Sequence, residues 1–176
     1  MFERLEHTLR LTLFTEAFVV QGTVRVIRPR LSDVLNDAEH EFVVLHDVVL
    51  NESGSTGSEV RAAFAQVNFG AILFVVADER LEPTPEMRVE KVAEPALISI
   101  PPFTLIGRIH LRPDPSFDVR LGQLTARFFP VTDVTYWSDR PDEPRRTAPM
   151  VAVNRRRAQI LAPYAEPVGG SGVAEG

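Results

Sequence analysis

The sequence predicts a mainly β protein of the α+β kind, built from two tandem β-α-β-β-β repeats packed with pseudo-twofold symmetry. Three observations predict it. First, the phrase FVVLHDVVL at Phe42–Leu50 returns as FFPVTDVTY at Phe128–Tyr136. Aligning Asp47 with Asp133 gives an offset of 133 − 47 = 86, and the same offset carries Val67-Asn68 onto Val153-Asn154 and Leu31, Leu35 and Ala38 onto Phe117, Leu121 and Leu124. Self-similarity at one offset over several segments is the mark of a copied unit. Second, two stretches alternate apolar and polar residues: Phe18, Val20, Gly22, Val24 and Val26, then Phe103, Leu105, Gly107, Ile109 and Leu111. That is the period of a half-buried strand. Their offset is 107 − 22 = 85, so one residue was gained or lost in a loop, where indels are tolerated. Third, the longest apolar runs, Phe42–Leu45 and Ala71–Ala77, are strand-sized.

The elements follow in order within each copy. The alternating strand carries a glycine at the centre of its apolar face, which weakens a strand unless a bulge or a crossing side chain needs the room, so Gly22 and Gly107 are structural. Arg28-Pro29-Arg30 and Arg112-Pro113-Asp114-Pro115 end the strand, because proline cannot donate to a ladder. LSDVLNDA and FDVRLGQL then place apolar residues at spacings of four and three, a short helix capped by Ser32 or Asp118. The opening phrase is the next strand; Phe42-Val43-Val44-Leu45 does not alternate and predicts burial on both faces. NESGSTGSE is a loop. Val60–Val67 and Ala71–Ala77 are two further strands around a tight turn at Asn68-Phe69-Gly70, and Ala158–Ala162 is the matching last strand of the second copy. The expected boundaries are 10–78 for repeat one, 79–94 for a charged, proline-containing linker, 95–164 for repeat two, and 165–176 for a disordered tail of small polar residues. A unit of this size buries little surface alone, which predicts that the copies pack on each other.

Composition limits function. The chain has 176 residues, 44% hydrophobic, enough for a proper core. It has no cysteine, which excludes disulfides and thiolate metal sites and agrees with a reducing cytosol, so a cytoplasmic location is expected. MFERLEHTLRLTLF is not a secretory signal, since Glu3 and Glu6 interrupt it and no basic region precedes an apolar run. No stretch approaches the ~20 apolar residues of a bilayer span, so no membrane partner is expected. A net charge of −5 repels nucleic acid as a whole, although a local basic patch can overrule a weak global field.

The run of Gly22, RLSDVLND, FVVLHDVVL and VN before an apolar strand resembles a bacterial domain family of unknown function. That family has a glycine in a strand, an Arg-Leu-Ser-Asp helix ending in Leu-Asn, an aromatic residue, and a Leu-Thr-Asp-Val strand. Repeat one carries the helix phrase as Arg30, Leu31, Ser32, Asp33, Leu35 and Asn36. Repeat two carries the strand phrase as Val131, Thr132, Asp133 and Val134, with Gly122 where Asn36 stands. The resemblance implies tandem copies and no particular activity.

Individual residues predict no catalytic site. Asp47 and Asp133 could do acid/base work, but aspartate in a strand near a turn more often accepts backbone N–H bonds, and Asn68 and Asn154 are turn residues. His40 and His46 lie about 20 Å apart along a strand, too far for one metal ion, and His7 and His110 have no evident partner. No metal and no cofactor is expected. GSTGS at Gly54–Ser58 lacks a phosphate-loop lysine and is flanked by Glu52 and Glu59, so it reads as a hairpin loop. One constellation remains: Arg145, Arg146, Arg155, Arg156 and Arg157 form a basic segment without an acidic residue. Such arginines bind phosphate or acidic partners. The resulting expectation is a non-enzymatic interaction or assembly module of a bacterial cytosolic protein, with an acidic protein partner or a homo-oligomer as its contact. The alternative is an RNA- or nucleotide-binding protein using Arg155–Arg157.

Overall fold

The structure, a computed structural model, describes residues 6–27, 31–54, 57–77, 91–114 and 116–165. Among the described residues ten strands form one antiparallel sheet. They are β1 (His7–Phe14), β2 (Phe18–Val26), β3 (Phe42–Glu52), β4 (Val60–Asn68), β5 (Phe74–Ala77), β6 (Val92–Ile100), β7 (Phe103–Leu111), β8 (Phe128–Ser138), β9 (Arg146–Asn154) and β10 (Ile160–Pro163). Two short helices, α1 (Leu31–Leu35) and α2 (Phe117–Gly122), interrupt them. The strand order is β10-β6-β7-β8-β9-β5-β1-β2-β3-β4, so β10 and β4 are the edges and β9 joins β5 at the centre.

Each half therefore holds one strand more than expected. β1 and β6 precede the alternating strands β2 and β7 and pair with them along their whole length. β6 begins at Val92, inside the segment expected to be linker, and carries Pro95 just beyond the four pairs that β10 makes with it. The expected turn at Asn68-Phe69-Gly70 is a single 3-10 turn, Phe69–Ala71, capped by the Asn68 side chain, which accepts from the Gly70 amide at 2.7 Å. The expected turn at Arg28–Arg30, the linker between 78 and 90 and the tail beyond 165 lie outside the described residues.

The two Asp-Val phrases form β-bulges. β2 pairs β3 as Gln21↔Val49 and Thr23↔His46, leaving Gly22 opposite both Asp47 and Val48. β7 pairs β8 as Ile106↔Thr135 and Arg108↔Thr132, leaving Gly107 opposite both Asp133 and Val134. Both aspartates have φ +51°, a left-handed backbone that Asp tolerates better than most residues. What they supply is this backbone turn, with exposed carboxylates, in place of the expected acceptance of N–H bonds. The bulge presses on the facing strand. A Cβ at Gly22 would stand 3.0 Å from both the His46 carbonyl oxygen and Leu45 Cβ, and one at Gly107 would stand 2.7 Å from Val131 Cγ1 and 2.9 Å from the Thr132 carbonyl oxygen. Only glycine fits without displacement.

Two hydrophobic cores lie on opposite faces of the sheet where its halves meet. On β5, Phe74 and Val76 face the core built mainly from β6–β9, while Val75 and Ala77 face the core built mainly from β1–β4 and α1. On β9, Val151 and Val153 face the first of these and Ala152 the second. Each half thus lends side chains to the other: Phe14, Leu73 and Phe74 complete the core of β6–β9, and Phe128 and Ala152 complete the core of β1–β4. Phe14 stacks on Phe74 at 4.4 Å, with Phe103 and Tyr136 edge-on to the pair. The burial expected on both faces at the start of the opening phrase holds for Phe128 and Phe129 but not for Phe42 and Val44, which are exposed. The difference is positional. β8 lies inside the sheet with Phe69 against Phe128, whereas β3 is next to the β4 edge.

Candidate functional site

The five arginines do not form one patch. Arg145 and Arg146 lie at the start of β9, and Arg155–Arg157 form the turn after its end, so roughly 30 Å of extended strand separates them. Arg145 stacks over Trp137 with its guanidinium carbon 4.4 Å from the ring centre, and Arg146 lies beside Tyr136, whose hydroxyl burial holds above the usual phenol range. Arg157 pairs with Glu16 and donates to the Gly70 carbonyl oxygen at 3.5 Å, which ties the turn to the first half. Arg155 and Arg156 project into solvent.

Asn154 does more than turn chemistry. Its side chain is buried, with 2% of the residue exposed. Nδ2 donates to the carbonyls of Phe69 at 3.1 Å and Ile72 at 2.8 Å, and Oδ1 accepts from the Arg156 amide at 3.1 Å. Asn36, at the end of α1, makes a second clamp between the halves: it donates to the Phe128 carbonyl at 3.1 Å and accepts from the Phe128 amide at 2.8 Å. Arg127 covers Phe69 at 4.7 Å and donates to the His40 carbonyl at 3.2 Å. His110, which showed no partner in the sequence, is held 2.8 Å from Thr132 Oγ1, and burial pushes its pKa below the ordinary histidine value. Asp37 is held low by the Glu39 amide and by His40, 2.8 Å away.

Two open hollows carry polar groups. One, of about 600 Å³, lies between the β3–β4 and β8–β9 loops, where Ser138 Oγ donates to Glu143 at 2.6 Å and Arg140 lies over Gly54. Ser138, Arg140 and Glu143 hold one another, while the Ser53 hydroxyl on the same lining is buried without a hydrogen-bond partner among the described residues. The other, of about 810 Å³, is a shallow bay beside α1 with Asp37 and His40 at its rim. Among the described residues no three His, Asp or Glu side chains gather as metal ligands, and no helix is long and apolar enough to cross a membrane.

The feature that stands out is the β4 edge. Val60–Asn68 is nine residues long, contains no proline and carries one charge, Arg61, which pairs with Glu59. Phe64 at its centre is 66% exposed and Val60 is 54% exposed. Phe42 and Val44 extend the apolar surface on the neighbouring strand. The Phe69 amide donates to the Glu41 carbonyl at 2.9 Å; stepping by two from it as far as the Asp47 bulge turns the main-chain groups of Val67 and Ala65 toward β3 and those of Asn68, Gln66 and Phe64 outward. Past the bulge the alternation reverses: the Ser53 amide donates to the Ala17 carbonyl, which turns Val48 and Leu50 toward β4 and their partners Ala62 and Val60 toward β3. Soluble proteins blunt such edges with charges, prolines or cover, and β4 has little of these. The sequence signal was RAAFAQ, an aromatic residue among small ones in a strand with a single charge. It was missed because nothing in the sequence alone says which strand is the edge.

Comparison with known proteins finds no family model that matches this chain, no curated protein similar to it and no solved structure similar to it.

Proposed function

We propose that this chain is a non-enzymatic interaction and assembly module of a bacterial cytosolic protein, made of two tandem copies of one unit, which binds by taking a partner strand onto its β4 edge. The observation that carries the reading is that edge: long, nearly uncharged, free of proline, with outward main-chain donors and acceptors and Phe64 exposed at its centre. Main-chain hydrogen bonds give affinity in strand addition, and alternate side chains give specificity.

The duplication is supported by hydrogen bonds that recur at the sequence offset. Phe69 N to Glu41 O is matched by Arg155 N to Arg127 O, Leu73 N to Phe14 O by Gln159 N to Ser99 O, and Ser53 N to Ala17 O by Asp139 N to Pro102 O. The amide of Gly70 on Asn68 is matched by that of Arg156 on Asn154. The symmetry we infer is a twofold rotation about an axis running across the strands, combined with a shift along the sheet. Strand order is kept, strand polarity is reversed and the inward face is exchanged, in agreement with β9 meeting β5 antiparallel and with cores on opposite faces. The resemblance to the bacterial family of unknown function belongs with this reading and adds no activity to it.

The test is a photo-crosslinking amino acid placed at position 64 in living cells, with the same group at the exposed Val119 of α2 as control. The proposal expects a discrete crosslinked species from position 64 and none from 119. A chain that crosslinks to nothing at 64 under conditions where it is expressed and folded is not a strand-adding module.

A further inference from the structure

We draw no further inference here: the strongest candidate, the open hollow between the β3–β4 and β8–β9 loops with the buried Ser53 hydroxyl on its lining, carries none because Ser138, Arg140 and Glu143 hold one another there and no remaining group of the lining selects the chemistry of a ligand.

Discussion

Asn154→Ala separates a local turn from a joint between halves, because Asn68 supplies a built-in control at the equivalent position. Asn154 is buried and donates to two main-chain carbonyls of the other half, those of Phe69 and Ile72, besides accepting from Arg156. Truncation orphans the Ile72 carbonyl, at about 1–3 kcal/mol, whereas the Phe69 carbonyl keeps the Ile72 amide and loses only one bond, at about 0.5–1.5 kcal/mol, so about 1.5–4.5 kcal/mol is expected. Asn68 is exposed and accepts one local bond from Gly70. Its loss should cost about 0.5–1.5 kcal/mol. Urea unfolding monitored through Trp137, the one tryptophan, gives both midpoints. At about 2–4 °C per kcal/mol for a chain of this size, the gap should also be plain in thermal melts. Equal costs for the two alanines would refute the claim that Asn154 fastens the halves.

Three further outcomes follow from named contacts. Gly107→Ala should destabilise by about 1–3 kcal/mol and by more than Gly22→Ala, because its methyl group meets Val131 and Thr132 more closely than the equivalent methyl meets the first bulge; paired denaturation curves check the order. Burial lowers the His110 pKa below 6.5, so the unfolded chain binds the proton more readily; the stability this contributes is fully present above pH 6.5 and is lost as pH falls below it. His110→Gln should therefore flatten the fall in melting temperature between pH 7.5 and 5.5. Neutralising Arg155 and Arg156 together should leave the melting temperature nearly unchanged, as exposed charges contribute little, and wild-type protein should retain RNA only at background; micromolar, salt-sensitive RNA binding lost in that double variant would favour the nucleic-acid reading instead.

Alternation and the repeated phrase made β2, β3, β7 and β8 legible in the sequence, and the central glycines foretold the bulges because a strand keeps a glycine in its apolar face only where space is needed. β1 and β6 were less legible. β6 contains Glu94 and Pro95, which read as linker, and Pro95 is tolerated because it falls beyond the pairs made by β10. The basic segment misled for a geometric reason: residues nine apart in a strand are adjacent in print and roughly 30 Å apart in space. Asn36 carried a family signature, yet its role as a clamp across 92 residues depends on which strand α1 packs beside, and that is set by tertiary order. The candidate site was hidden for the same reason. Whether Val60–Asn68 is covered or bare follows from the β9–β5 joint, which no local pattern encodes.

Hydrogen exchange resolved by residue tests the bare β4 edge most directly. The amides of Phe64 and Gln66, which face outward from β4, should exchange rapidly in the isolated protein, while those of Ala65 and Val67, which face β3, should be protected. Protection at Phe64 and Gln66 equal to that at Ala65 and Val67 would contradict it.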